Sequence, residues 1–201
     1  MNCFEGKRIL DYKLPEYYSD IPMMIFSPSV VNDGRRLLIS PQKITFLCNT
    51  DTSLFSGKIA LENIEFSTLF NKNDPQYLKI SSAMRMNATF PYILPMVFLP
   101  SKPKIEVMDA GLRDNLGLTT SIKYIDNFKN WIHEHTSGVV IIQLRDREKK
   151  TKIKDKQSGS LISKLFTPLT NVYGNFLKIQ DYRNDEMLNQ LKSSFKGDIY
   201  Y

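Results

Sequence analysis

Ile105-Glu106-Val107-Met108-Asp109-Ala110-Gly111-Leu112-Arg113-Asp114-Asn115-Leu116-Gly117-Leu118 decides the fold class of this chain. Its first five residues form a short strand ending on a carboxylate, and a glycine-containing turn follows. From there the apolar residues Leu118, Ile122, Ile125, Phe128 and Ile132 recur every three or four positions, which places them on one helical face. Gly138 then opens Val139-Val140-Ile141-Ile142-Gln143-Leu144, a run that predicts a strand buried on both faces, as in parallel sheets flanked by helices. Strand, helix, strand over residues 105–144 is the pattern of an α/β fold with a mainly parallel sheet.

Working outward, residues 21–31 form an extended apolar run. Asn32-Asp33-Gly34 after it predicts a tight turn, because Asn and Gly tolerate positive φ. Residues 36–40 and 43–48 can then return as strands, giving a β-hairpin near the N-terminus. Residues 59–66 suit another short strand. Residues 76–89, poor in glycine and closed by Phe90-Pro91, suit a helix. Beyond the sheet, residues 145–156 carry seven basic and three acidic side chains, a net of +4 out of the chain total of +6. With Gln157-Ser158-Gly159-Ser160 attached, this reads as a basic flexible loop. Two helices are expected in the tail, around 169–181 and 184–195. The predicted organisation is a main domain over 1–146, the loop over 147–160 and a helical tail over 161–201 packing on the domain.

With 201 residues, 42% apolar and 24% charged, the composition is that of a globular chain, and it excludes collagen-like, coiled-coil and low-complexity classes. Cys3 and Cys48 are too few for a disulfide framework or a four-ligand zinc site. The longest apolar stretches, 21–31 and 90–100, are too short to span a bilayer and contain prolines. The N-terminus lacks the pattern of a secretory signal. A cytoplasmic or membrane-peripheral location is expected.

Asp109 stands at the carboxyl end of a strand, where ligands and catalytic groups gather in open α/β sheets. The plainer alternative is a carboxylate that only hydrogen-bonds within its turn. Asp114 or Asn115 is expected to cap the following helix. Here a resemblance enters. The block 108–118 resembles the Asp-Gly-Gly or Asp-Gly-Ala block of patatin-like phospholipases, with Asp109, Ala110 and Gly111 as the motif residues. Upstream, Met86-Asn87-Ala88-Thr89-Phe90-Pro91-Tyr92-Ile93-Leu94-Pro95 is similar to the family's helix end running into two spaced prolines. Residues 21–40 resemble its middle strands. The likeness covers roughly 21–144 and is strongest over 81–118. It implies a partial three-layer patatin-like fold and hydrolysis of lipid acyl esters by a Ser-Asp dyad, with Asp109 as the dyad aspartate and with neither metal nor organic cofactor.

The departures are informative. Ala110 stands where the family often has Gly, and Asn87 where Ser is common. No G-x-S-x-G occurs anywhere in the chain, and the Gly-rich oxyanion segment is missing too. Acyl transfer needs a nucleophile on a strained turn and N–H donors aimed at the developing oxyanion. Asp109 alone is a base with nothing to activate. The expectation is therefore the C-terminal part of a longer hydrolase, inactive alone. The alternatives are a non-catalytic lipid-binding or regulatory module, or one half of a two-chain enzyme whose partner brings the serine.

Other candidates read more plainly. His133 and His135, at i and i+2, do not match zinc spacing and suit a solvent-facing helix end. Arg85 and Arg113 suit surface or capping roles. The basic segment 145–156 could lie against anionic lipid headgroups. Nucleic-acid binding is not expected, because the charges lack interleaved aromatics. Phe166, Tyr173, Phe176, Tyr182 and Phe195 are expected to pack the tail.

Overall fold

The turn at Asn32-Asp33-Gly34 builds the larger sheet of the protein. A computed structural model describes residues 4–48, 62–72, 74–89, 94–145, 161–195 and 198–201, with side chains in the C-terminal helix described from residue 175. Gly34 takes φ +74°, a left-handed conformation glycine adopts without a Cβ penalty, and its N–H donates to Val30 O at 2.9 Å. Strands β1 (Ser29–Val30) and β2 (Arg36–Leu38) therefore fold back antiparallel. The expected hairpin is present.

Contacts divide the chain into two units, Met1–Asp114 and Asn115–Tyr201. The first contains α1 (Lys13–Tyr17), β1, β2, β3 (Asn63–Glu65), α2 (Phe66–Leu69), α3 (Ile80–Asn87), β4 (Val97–Leu99), β5 (Ile105–Met108) and α4 (Gly111–Asp114). Strand order is β3-β2-β1-β5-β4, and among these pairings β2–β3 alone is parallel. This mixed, mostly antiparallel sheet corrects the expectation of a mainly parallel one. The reason lies in the connections: β1 reaches β2, and β4 reaches β5, through turns too short for the crossover that parallel neighbours require. Val30, Leu37, Leu99 and Val107 of the sheet and the adjacent Ile39 share a core with Ile80, Ala83 and Met86 of α3.

Two local expectations change for identifiable reasons. Residues 76–89 do not form one helix: a 3-10 turn, Pro75–Tyr77, precedes α3. Between them, Leu78 O accepts from Ile9 N–H and Ile80 N–H donates to Lys7 O, so the N-terminal segment takes backbone groups that a continuous helix would use. Residues 43–48 form a 3-10 turn, Thr45–Leu47, instead of a strand, because the Glu65 carboxylate accepts the Ile44 N–H at 3.1 Å.

The second unit contains α5 (Leu118–His135), β6 (Gly138–Val140), α6 (Leu161–Ser194) and β7 (Asp198–Tyr200). Helix α5 lies where the three-and-four spacing predicts it. Leu118, Ile122 and Ile125 pack with Leu188, Leu191 and Phe195. Strand β6 pairs parallel with β7 in a separate two-stranded sheet, so residues 105–144 do not make a βαβ unit within one sheet. A Cβ at Gly138 would run into the Asp198 carbonyl oxygen, which is why glycine opens β6. The run 139–144 is not buried on both faces. Val139 and Ile141 pack on the core, whereas Val140, Ile142 and Leu144 are 69%, 81% and 88% exposed. One helix, α6, replaces the two tail helices expected. Of the tail aromatics, Phe195 is buried while Phe176 and Tyr182 are exposed. The Phe166 and Tyr173 side chains, like Cys3, Phe90, Pro91 and the basic residues 146–156, lie outside the described residues.

Candidate functional site

Asp109 follows β5 directly, and backbone contacts fix its place. Its N–H donates to Thr89 O at 2.9 Å, and Ala110 N–H donates to Asn87 O at 3.1 Å. The end of α3 and the strand-to-turn block 108–111, the two segments singled out by sequence, are thus hydrogen-bonded to each other. Asn87 extends the link, because its Oδ1 accepts the Ser27 N–H at 2.8 Å. Thr89, fully buried, donates its hydroxyl to Arg85 O at 2.5 Å and closes the helix end.

The Asp109 carboxylate is half-buried. Oδ1 accepts the Gly111 N–H at 2.6 Å, and Oδ2 takes no hydrogen bond among the described residues. Burial pushes the carboxyl above its ordinary range, and the Gly111 N–H only partly offsets this. The turn hydrogen bond expected of a purely structural aspartate is therefore present, but it engages one oxygen only. A carboxyl with a raised pKa and an uncommitted oxygen can act as a proton acceptor toward a hydroxyl brought beside it.

Behind the turn, an ion network fixes α4. Arg36, on β2, is 1% exposed. Its Nη1 lies 3.3 Å from Asp114 Oδ2, its Nη2 3.3 Å from Glu62 Oε1, and its Nε donates to Asn63 Oδ1 at 2.8 Å. Arg113 reaches Glu62 Oε1 at 3.0 Å, and Asn63 Nδ2 donates to Leu47 O at 2.6 Å. Asp114 therefore faces Arg36. Gly117, in a left-handed conformation, occupies the N-cap of α5, while Asn115 N–H donates to Gln180 Oε1 at 3.2 Å. Sequence reasoning missed Arg36, Glu62 and Asn63. The available signal was strand alternation after the tight turn, which turns Arg35 outward and Arg36 inward.

The remaining candidates have other surroundings. His133 and His135 are exposed at the end of α5, with His135 Nδ1 2.9 Å from Trp131 O and its ring stacked on Trp131. No cluster of three metal-ligating side chains occurs among the described residues, and no described helix is long and apolar enough to cross a membrane. Ser29 pairs with Met108 across β1 and β5, but it stands within a strand and not on a nucleophile elbow. Comparison with known proteins finds no matching family model, curated protein or solved structure.

Proposed function

We propose that this chain is the aspartate-bearing, C-terminal part of a patatin-like serine acyl hydrolase, carrying part of that family's three-layer fold. Asp109 is the dyad base, Ala110 and Gly111 form its turn, and the substrate is a lipid or other acyl ester. The serine and the oxyanion donors come from a polypeptide segment that these 201 residues do not include. The reaction needs neither metal nor organic cofactor.

The observation that carries this reading is the state of Asp109: half-buried, raised in pKa by that burial, and holding one oxygen uncommitted among the described residues. The Gly111 N–H orients the carboxylate, and a serine hydroxyl placed against Oδ2 would lose its proton there as it attacks the ester carbonyl. By itself the chain has no nucleophile for that step.

A fluorophosphonate probe tests the proposal. The chain alone remains unlabelled, and co-expression with the product of the upstream reading frame yields labelling on that partner's serine together with ester turnover. Labelling of a serine within 1–201, with turnover, overturns it. A non-catalytic lipid-binding module, the competing reading, predicts vesicle retention with no turnover in either arrangement.

A further inference from the structure

We propose that the β4–β5 hairpin of the first unit is a docking element for an anionic lipid surface. The inference stands on the hairpin alone and does not depend on the role of Asp109.

Strand β4 is an edge strand of the five-stranded sheet. Edge strands of soluble proteins commonly carry charged side chains on their outward positions. Here the alternate positions Leu94, Met96 and Phe98 are apolar and 45%, 38% and 48% exposed. Two exposed lysines, Lys102 and Lys104, follow in the turn, and Lys104 Nζ sits 3.7 Å from the centroid of the Phe98 ring. Glu106, paired with Phe98 in register, places one carboxylate beside the strip. The nearby Asp33 is neutralised by its ion pair with Arg35.

The turn is held in shape. Ser101 Oγ donates to Pro103 O and accepts the Ile105 N–H, while the Asn32 amide bridges Lys104 O and Glu106 N. The apolar strip and its two cations are therefore presented together, with little ordering left to do on contact. Aromatic and aliphatic side chains flanked by lysines match the boundary between acyl chains and anionic headgroups, where rings insert and ammonium groups stay with the phosphates. That complementarity selects an anionic bilayer over a neutral one.

Vesicle sedimentation of the full chain tests this, with phosphatidylcholine alone and phosphatidylcholine mixed with phosphatidylglycerol. Retention is expected on the anionic vesicles and to fall with salt. Lys102→Gln/Lys104→Gln should weaken it by about 30-fold. Met96→Ser/Phe98→Ser should abolish the part that survives high salt. All four residues are exposed or lie on the sheet's outer edge, and circular dichroism verifies that each variant is folded. A Phe98→Trp chain in a Trp131→Phe background supplies a second readout, since its emission should shift blue on anionic vesicles. Equal retention by neutral vesicles, or retention unmoved by both double variants, overturns the proposal. So does retention that responds only to charges in 145–156. Self-association through the hairpin, with sedimentation velocity showing a dimer that Met96→Ser/Phe98→Ser dissolves and no vesicle retention, overturns it in favour of a second copy.

Discussion

Arg36 Nη1 lies 3.3 Å from Asp114 Oδ2, and both side chains are withdrawn from solvent. A guanidinium on β2 thereby fixes α4, the single helical turn that supplies the Gly111 N–H to Asp109. Sheet and candidate site are joined through this pair, not through apolar packing alone. Removing Asp114 leaves the buried guanidinium with Glu62 as a second carboxylate, so the cost sits at the lower end of the about 3–5 kcal/mol typical of breaking a buried pair. Asp114→Ala should therefore lower stability by roughly that amount. The double variant Arg36→Met/Asp114→Leu should lose less than Asp114→Ala alone. Urea midpoints of the three chains check this, and simple additivity of the single losses would contradict it.

Asn87 joins the end of α3 to the lead into β1 through the Ser27 N–H at 2.8 Å. Asn87→Ala leaves that partly buried donor without its acceptor, so a loss of about 1–3 kcal/mol is expected. Asn87→Ser places a hydroxyl too short to reach the same N–H and should be nearly as costly. Thermal melts of both variants measure the effect.

Asp109 gives a pH dependence of definite sign. Burial raises its carboxyl, with the Gly111 N–H acting in the opposite direction. A carboxyl whose folded pKa exceeds its unfolded value favours folding while it is protonated, and that contribution disappears as pH rises through the folded pKa. Asp109→Asn should therefore melt higher than wild type at neutral pH, with the gap closing toward acid. Side-chain NMR titration should place the Asp109 midpoint above the ordinary aspartate range.

Glu65 runs the other way. Burial alone would raise its carboxyl, but hydrogen bonds from Thr45 Oγ1, Ile44 N–H, Ser67 and Thr68 together outweigh it and hold the group below its ordinary range. Its contribution is present above the unfolded pKa and is lost as pH falls through the folded one. Glu65→Gln should be destabilised at neutral pH, and its deficit should shrink toward about pH 3. Melts across that range follow the difference.

Local signals made part of this molecule legible in its sequence. The apolar spacing from Leu118 marks α5, and Asn32-Asp33-Gly34 marks the hairpin, because helix periodicity and positive-φ turns are decided by neighbouring residues. The position of Asp109 between a strand and a turn was legible for the same reason. Sheet membership was not. The apolar run at 139–144 reads like a central parallel strand, yet β6 pairs only with β7 among the described strands, a partner about sixty residues away. Nothing in either segment announces that pairing. Arg36 escaped notice because a buried arginine is exceptional by composition and becomes intelligible only once Asp114, Glu62 and Asn63 converge on it from distant positions.

The measurement that bears most directly on the role of Asp109 is the initial rate of acyl-ester hydrolysis by this chain co-expressed with the upstream product, compared with the same pair carrying Asp109→Asn. Hydrolysis by the wild-type pair alone, falling by about 10²–10⁴-fold on Asp109→Asn, is the predicted result. Hydrolysis by either pair at the same rate would show that the carboxylate at 109 takes no part in the chemistry.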